Sequence, residues 1–513
     1  MGSNKFQRIM SGLFCVVFAM LYAWICLLCL TKPQIIPLNM TKTISAAAVV
    51  GGICYLYYRY GYRREFRGGS AVGKKNRDML HLMIFFLVYI PVQVYFAAQL
   101  YEIEGTSWDF NVVAKYAMAY ANYPGDVSNY REVMAGTDAA VYFSSWPNNI
   151  PLYLFLGTVF RWFAGTGVSL NAVGMGINIL AIDIAIAFMY LSVEKATGTS
   201  AAADVSLLLA AVHVPLLVYV PNYYTDTLTL PFPIIAFYLW LNVKEELAEG
   251  KMGKAPLYTV IMTVLLAVGA VLKLSVIFFL IAAAVDALVC MKPRRSLVLI
   301  AVLLIVGIGL YMLMYQACLD SPMVVSDEEG CYIPKLHWIM MGLQGKGNYF
   351  NPDYQLILSV PEESRDEVAL NMIKLRLKDY GVKGFLDHMH KKIAFVWAEG
   401  TYYSSLKVDR DRPGYSWLDR YVNWNGSRFK PYAEYCQGLL LLNLISFAVC
   451  AVSILIQKPK RNQLLLVALI SIFGIFLFEC LWEARSRYIF NYLPVFLTVT
   501  CSCWGNIMNK RKK

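Results

Sequence analysis

Long apolar runs alternate with short polar segments along most of this chain. Runs of the length that crosses a bilayer as a helix occupy residues 9–30, 43–58, 79–100, 171–192, 203–221, 227–243, 256–272, 273–290, 296–317, 436–456, 462–482 and 487–505. A further run, Ile150–Phe163, is about fourteen residues long, a length that is typical of a re-entrant or interfacial segment. The pattern predicts an all-α polytopic membrane protein with about 12–13 transmembrane helices.

Two longer polar segments interrupt this pattern, at residues 101–149 and 318–435. The second is too long for a plain connection, and it contains two predicted amphipathic helices, Pro361–Tyr380, which ends at Gly381, and Leu386–Trp397. We therefore divide the chain into four parts. They are two N-terminal helices with a basic loop (1–78), a transmembrane core that includes the first outer loop (79–317), a small outer helical subdomain (318–435), and three C-terminal helices with a basic tail (436–513).

Composition and charge support this class and predict an orientation. Of the 513 residues, 58% are hydrophobic and 16% are charged, whereas about a quarter of a soluble domain is charged. The net charge of +12 comes from clusters of Lys and Arg between apolar runs, at 59–77, 292–295, 458–461 and 510–513. If Ile150–Phe163 does not span, the positive-inside rule places these clusters and both termini in the cytoplasm. The two polar segments then lie on the extracytoplasmic face of the plasma (inner) membrane.

The same charge pattern excludes a nucleic-acid partner, because the basic residues form short clusters and no continuous basic face. Most of the 12 cysteines lie inside apolar runs and are expected to be small buried side chains. Cys318 and Cys331 lie in the second polar segment instead, so they are candidates for a disulfide in an oxidising compartment, or for free thiols. No spacing of His and Cys predicts a metal site, and we expect no metal and no cofactor.

Ionisable side chains inside or beside apolar runs are candidates for function. Lys273 lies between two apolar runs, either as a snorkelling lysine or as a cation that binds a lipid phosphate. Asp109 follows Trp108 in the first outer loop, either as a partly desolvated general base or as a solvated loop carboxylate. Asp126 and Asp138 are alternative carboxylates in the same loop.

Two short polar turns add further candidates. The turn Pro221–Thr227 contains Asp226, either as the N-cap of the next helix or as a substrate contact. The turn Glu479–Tyr488 contains Arg487, whose planar guanidinium suits a phosphate. The alternative for Arg487 is an ion pair with a nearby glutamate.

These residues together resemble the GT-C glycosyltransferases, in particular the bacterial members similar to protein O-mannosyltransferases and aminoarabinose transferases. The matching segments are Trp108-Asp109-Phe110, similar to the acidic loop motif of that family; Trp146-Pro-Asn-Asn149 and Ile150–Phe163, similar to its Pro-led short segment; Tyr224-Thr-Asp226, Leu272-Lys273 and Arg487-Tyr488, similar to positions around its donor cavity; and His337–Gly347, similar to one of its outer-loop stretches. Residues 9–58 depart from the family pattern, which usually has no helix or one helix before the one that leads into the acidic loop.

The resemblance implies an integral membrane glycosyltransferase that moves a sugar from a polyprenyl-phosphate donor to an acceptor hydroxyl on the outer face. Asp109 would be the general base, and the reaction would invert the anomeric centre. The leaving lipid phosphate is a good leaving group, so a metal is not chemically required. The acceptor would be a glycan, a lipid-linked molecule or a protein. The implied donor-phosphate ligands are Lys273, Arg487 and Tyr488, and the implied substrate contacts are Trp108, Asn148, Asn149, Tyr224, Asp226 and His337.

Two other classes share the helix pattern. A flippase or transporter for a lipid-linked glycan would need charged or broken helices along a path through the membrane, and few are present. A polymerase or ligase of the O-antigen type would use arginines and a histidine in the late outer loop. Substitution of Asp109, compared with substitution of Arg and His within 337–430, distinguishes a polymerase or ligase from a GT-C glycosyltransferase.

Overall fold

The computed structural model describes residues 5–65, 71–101, 109–248, 253–291, 293–408 and 416–509. Within these ranges every regular element is a helix and no strand occurs, which confirms the predicted all-α fold. Each of the long apolar runs forms a helix, or two consecutive helices, at its predicted place.

The N-terminal half of the chain contains α1 (Lys5–Thr31), α2 (Met40–Glu65), α3 (Ala71–Leu100), α4 (Asp109–Ala121), α5 (Tyr130–Met134), α6 (Asp138–Ser145), α7 (Ile150–Phe163), α8 (Leu170–Thr197), α9 (Ser200–Val212), α10 (Val214–Val218), α11 (Thr225–Leu228) and α12 (Pro231–Ala248). The C-terminal half contains α13 (Ala255–Leu272), α14 (Ile277–Cys290), α15 (Pro293–Ala301), α16 (Gly307–Leu319), α17 (Lys335–Gly342), α18 (Asn351–Leu358), α19 (Arg365–Trp397), α20 (Ser404–Lys407), α21 (Asp419–Val422), α22 (Phe429–Leu455), α23 (Leu466–Leu481) and α24 (Leu493–Asn509). Short 3-10 helices precede several of these, among them Pro147–Asn149, Leu274–Val276 and Ser486–Tyr492.

Eight helical segments within the described ranges are long and apolar enough to cross a membrane. They are Gln7–Thr31, Asn76–Leu100, Leu170–Thr197, Thr225–Ala248, Ala255–Leu272, Leu297–Leu319, Phe429–Leu455 and Lys460–Leu481. The other predicted runs form helices that are shorter or less apolar, namely α2, α9, α14 and α24, and Ile150–Phe163 forms α7.

The two N-terminal helices belong to the main core. The GT-C pattern usually has no helix or one helix at this place. Both α1 and α2 pack along α22, and α2 also packs against α9. Inside this contact Gln437 of α22 donates from Nε2 to the carbonyl oxygens of Cys29 (2.7 Å) and Ala398 (3.2 Å). Because Ala398 directly follows the long helix α19, the N-terminal pair helps to hold residues 318–435 in place.

Helices α17, α18 and the first part of α19 enclose a small apolar cluster of Ile333, Met340, Ile357 and Ala369. Gly381 has a φ of 53° and divides α19 into two helices, at the residue that the sequence predicted as the stop. Beside the cluster Arg376 forms a two-pronged ion pair with Asp353, with distances of 2.6 Å and 2.8 Å. Such a fork is geometrically specific, and it fixes α18 against α19.

Candidate active site

Side chains from five distant parts of the chain meet at one end of the helix bundle. They are Asp109 at the start of α4, Asn149 immediately before α7, Asp226 in α11, Lys273 between α13 and α14, and Arg487 in the 3-10 helix before α24. Every one lies where a helix begins or is interrupted. The polar groups are therefore grouped at helix ends and do not interrupt the apolar middle of a span, where they would be costly.

A chain of three hydrogen bonds links Asp109 to the centre of this group. Tyr224 donates from its hydroxyl to Asn149 Oδ1 (2.6 Å), Asn149 donates from Nδ2 to the Tyr142 hydroxyl (2.7 Å), and that hydroxyl donates to Asp109 Oδ1 (3.1 Å). Burial, and then the neighbouring Asp109 carboxylate, raise the pKa of Tyr142 well above its usual value. Tyr142 therefore stays protonated and orients the carboxylate of Asp109.

Charged side chains of alternating sign extend from Asp109 into the protein. Arg487 places Nη2 3.4 Å from Asp109 Oδ2 and Nη1 3.5 Å from Asp226 Oδ2. Lys273 places Nζ 2.6 Å from the other oxygen of Asp226. The Asp109 side chain is 36% exposed, whereas those of Arg487 and Asp226 are 8% and 3% exposed. Asp109 is therefore the member of this series that solvent can reach, and the two cations are more deeply buried.

The two cations differ in how fully they are engaged. Lys273 has a short ion pair with Asp226, whereas Arg487 makes only the two long contacts to carboxylates, and its Nε has no hydrogen-bond partner among the described residues. The guanidinium is also held between aromatic rings, 4.9 Å from the centre of Tyr488 and 5.8 Å from that of Tyr224. Arg487 is therefore positioned by packing and retains donors for an incoming anion.

Contacts from several neighbouring residues fix the short segment that carries Arg487. Tyr488 donates from its hydroxyl to Glu483 Oε2 (2.6 Å), and Arg485 pairs with the other oxygen of Glu483 (3.3 Å). Arg485 also donates to the hydroxyl of Tyr403 and lies over its ring. The predicted Arg–Glu pair in this turn therefore belongs to Arg485, and Arg487 is directed to the two aspartates.

A buried carboxylate supports the same segment from behind. Glu399 accepts hydrogen bonds from Thr401 N (2.8 Å), Tyr403 N (2.5 Å) and Ser486 Oγ (2.7 Å). Tyr402 and Tyr403 have φ values of 52° and 66°, a left-handed conformation that costs a non-glycine residue about 1–2 kcal/mol. Glu399 offsets part of this cost and ties the turn to the residue beside Arg487.

Most residues proposed from the sequence meet in this group, which includes Asp109, Asn149, Tyr224, Asp226, Lys273, Arg487 and Tyr488. Their functional roles remain predictions. The N-cap alternative for Asp226 is wrong, because Asp226 lies inside α11 and makes no capping bond. The snorkelling alternative for Lys273 is also wrong, because its side chain is only 12% exposed and is paired.

The other proposed residues lie elsewhere. Asn148 is exposed beside the group, and Trp108 lies outside the described residues. His337 is fully buried next to Trp338 and Tyr354, and burial lowers its pKa to about 4, so its ring is not accessible to a substrate in this structure. Cys318 and Cys331 are free thiols here, and their pairing remains a prediction.

Three residues in or beside this site were not predicted from the sequence. Tyr142 lies one helical turn before Trp146, in a segment that we considered only for its Pro and Asn residues. Lys407, whose Nζ lies 5.7 Å from the Tyr224 ring centre, is an isolated lysine in a long loop and gave no signal. Glu399 is an acid next to apolar residues at the end of a predicted amphipathic helix. That position could have marked it as a candidate functional residue.

These features define a multi-pass, all-helical membrane protein with a charged centre at the ends of its helices. The chain belongs to the family described as conserved hypothetical integral membrane protein, which matches residues 3–507. None of the curated proteins matches its sequence. In the described residues no group of three His, Cys, Asp or Glu side chains is placed to hold a metal ion.

Two solved structures of an oligosaccharyltransferase from the archaeon Archaeoglobus fulgidus have a partial likeness to this chain. One is AglB in complex with an inhibitory peptide and a dolichol-phosphate, with 14% identity and a TM-score of 0.41 over 85% of this chain and 51% of that one. The other is the enzyme tethered to an acceptor peptide with the NVT sequon, with 13% identity and a TM-score of 0.42 over 85% and 50%. This chain thus spans about half the length of those proteins.

Proposed function

We propose that this protein is an integral membrane glycosyltransferase of the GT-C type. It transfers a sugar from a polyprenyl-phosphate donor to an acceptor hydroxyl, on the extracytoplasmic face of the membrane. The observation that carries the proposal is the position of Arg487, a buried guanidinium whose Nε has no hydrogen-bond partner among the described residues, 3.4 Å from the partly exposed carboxylate of Asp109. An anion-binding group and a general base are thereby placed side by side.

In the proposed reaction a bound donor separates these two groups: its phosphate takes the place of the Asp109 carboxylate at Arg487, and the sugar lies between that phosphate and Asp109. Asp109 accepts the proton of the acceptor hydroxyl while that oxygen forms a bond to C1 of the sugar. The bond from C1 to the phosphate oxygen breaks, and the electron pair leaves with the polyprenyl phosphate. Arg487 stabilises the charge that develops on this phosphate. Attack from the side opposite the phosphate inverts the anomeric centre.

The environment of Asp109 suits a base. Its Oδ1 accepts from the Tyr142 hydroxyl, a bond that orients the carboxylate and requires a lone pair on it. Its Oδ2 faces Arg487 across a long contact, so an acceptor hydroxyl can approach this oxygen. The side chain is the most exposed member of the charged series, which gives an acceptor from outside access to it.

The polymerase or ligase alternative needs accessible arginines and a histidine in the late outer loop. Arg420 and Arg428 are exposed there, but three other candidates are engaged or buried. Arg365 donates to the carbonyl oxygens of Val360, Tyr332 and Gly330. Arg376 is paired with Asp353, and His337 is fully buried. The alternative therefore rests on Arg420 and Arg428, and substitution of Asp109 separates it from the proposed function.

The first prediction concerns Asp109→Asn. In lipid nanodiscs, with radiolabelled polyprenyl-phosphate sugars as donors and a cell-envelope extract as the source of acceptors, we expect transfer to fall by about 10²–10⁴-fold. Donor binding should persist, because Arg487 remains. The matched control is Asp126→Asn, an exposed acid of the same outer segment, which should transfer at the wild-type rate.

Normal transfer by Asp109→Asn would refute the assignment of the base. Wild-type protein that transfers no sugar but moves a lipid-linked sugar across a liposome membrane would favour the flippase alternative. Loss of transfer in Asp126→Asn alone would move the base to that carboxylate.

A further inference from the structure

A row of partly exposed aromatic rings leads away from the charged centre. Trp146 stacks on Tyr354, with ring centres 5.4 Å apart and an interplanar angle of 18°. Trp338 lies 5.0 Å from Trp146 and stacks on Trp482 at 6.3 Å and 16°. None of these four rings is buried or fully exposed. Together they form an aromatic row, defined here as Trp146, Tyr354, Trp338 and Trp482.

The row begins one helical turn after Tyr142, the residue that orients the proposed base. The backbone N–H of Trp146 donates to the carbonyl oxygen of Tyr142 (2.8 Å), and the hydroxyl of Tyr142 contacts Asp109. Tyr349 interacts electrostatically with one member of the row and with the centre. Its pKa is raised by burial and then by Tyr354 and Asp109, which places its hydroxyl within electrostatic range of both.

Uncharged hydrogen-bonding groups accompany the aromatic rings. Asn148 is exposed two residues after Trp146. Asn348 donates from its amide to the carbonyl oxygen of Tyr349 (3.0 Å), and the Tyr349 hydroxyl donates to Asn351 Oδ1 (3.2 Å). Glu483, which follows Trp482, is 3% exposed. The row therefore offers π-faces and neutral donors and acceptors to a ligand.

We propose that the aromatic row binds a saccharide, and that the acceptor of this enzyme is a carbohydrate. The π-face of an aromatic ring carries partial negative charge and attracts the positive edges of C–H bonds, which form one face of a pyranose ring. The hydroxyl groups around that ring find amide and phenol partners in Asn148, Asn348 and Tyr349. The identity of this ligand as the acceptor rests on the proposed function, whereas the binding site itself does not.

A saccharide suits these features better than a peptide or an isoprenoid chain. A peptide acceptor usually needs a sheet edge or a groove for its backbone, and the described part of the outer segment contains no strand. An isoprenoid chain has no hydroxyl groups for the amides. It remains a competing occupant at the Trp482 end, because Trp482 also stacks on Phe478 of the long apolar helix α23 (5.6 Å).

The test is saturation-transfer NMR on purified protein in nanodiscs, with cellotetraose, maltotetraose, mannotetraose and chitotetraose as probes. At least one tetrasaccharide should receive magnetisation on its ring C–H protons. Trp338→Ala and Trp146→Ala should weaken its affinity by about five- to tenfold. Trp338→Phe keeps a π-face and should retain most of the affinity, and it serves as the folded variant if the alanine variants do not fold.

The control is Trp162→Ala, in a tryptophan that is 72% exposed near the far end of α7 and should bind saccharide as the wild type does. Farnesyl phosphate is the second probe. If no tetrasaccharide binds the wild type, if Trp338→Ala and Trp146→Ala bind like the wild type, or if they weaken only farnesyl phosphate, the inference is overturned. Saccharide binding is measured without donor and does not require transfer, so failure of the catalytic proposal is distinguishable from failure of this one.

Discussion

We assign different functions to the two buried cations of the centre, Lys273 and Arg487. Lys273 and Asp226 form a short ion pair with side chains that are 12% and 3% exposed, so the charge of the lysine is largely offset. Within the part of the chain that the structure describes, Arg487 makes only long contacts, and its Nε has no hydrogen-bond partner there. We therefore expect Arg487 to bind the donor phosphate directly and Lys273 to hold Asp226 in place.

The second prediction compares substitutions of these residues. Arg487→Lys keeps a positive charge but loses the planar fork, and we expect the KM for the donor to rise by about 10–100-fold, the equivalent of one or two charge-assisted hydrogen bonds. The same change in its neighbour, Arg485→Lys, should raise the KM much less. Equal effects of the two substitutions on KM would contradict the assignment of the phosphate to Arg487.

The third prediction concerns stability. Lys273→Met leaves Asp226 buried without its closest partner, and loss of one member of a buried ion pair costs about 3–5 kcal/mol. We expect a clear drop in the thermal unfolding midpoint, measured in detergent. The double variant Lys273→Met/Asp226→Asn removes both charges and should recover much of the loss. A double variant that is no more stable than Lys273→Met would show that the pair does not act as a unit.

At the scale of elements, the glycine-rich stretch His337–Gly347 acts as a socket for a lysine. Lys392 of α19 is 1% exposed and donates to the carbonyl oxygens of Gly342 (2.8 Å) and Trp482 (2.6 Å). A Cβ on Gly342 would lie 2.7 Å from the Trp482 oxygen, and one on Gly347 would lie 2.7 Å from the Lys392 side chain. Glycine is needed here for close approach, which ties residues 318–435 to the turn that carries Arg487.

The fourth prediction follows from the titration of this lysine. Burial lowers the pKa of Lys392 to about 8, although the acids Glu479 and Glu483 oppose the shift. In the unfolded chain its pKa is about 10.5, so between about pH 8 and 10.5 the unfolded state holds more protons and the free energy of unfolding rises with pH. The unfolding midpoint of the wild type should therefore rise relative to that of Lys392→Met over this window.

The matched control for Lys392 is the next residue. Lys391 is exposed, and Lys391→Met should follow the wild type at every pH. If the curves of Lys392→Met and the wild type stay parallel from about pH 7.5 to 9.5, the socket does not hold a lysine of lowered pKa.

Elements with a local cause were predictable from the sequence. The apolar runs became helices, Gly381 ended the first part of α19, and Pro147 opened the 3-10 helix before α7. The left-handed turn at Tyr402 and Tyr403 was not predictable, because tyrosine has no preference for that conformation and the Glu399 carboxylate that caps the turn is itself bonded to Ser486, which is distant in sequence.

At the scale of the whole molecule, the centre is assembled from segments far apart in the chain. The sequence indicated Asp109, Asp226, Lys273 and Arg487 one at a time, because each is an ionisable side chain beside an apolar run. It did not indicate that Asp226 lies between the two cations, since that arrangement depends on how α11, α13 and the segment before α24 pack. The hydrogen-bond chain through Tyr142 was missed for the same reason.

The central claim is that the donor phosphate binds at Arg487 with the sugar facing Asp109. The most direct measurement is an electron cryomicroscopy structure of Asp109→Asn in nanodiscs with a polyprenyl-phosphate sugar bound. The account predicts phosphate oxygens about 3 Å from the guanidinium nitrogens of Arg487, with the anomeric carbon between the phosphate and residue 109. A donor bound at another place, or a phosphate held without Arg487, would contradict the account.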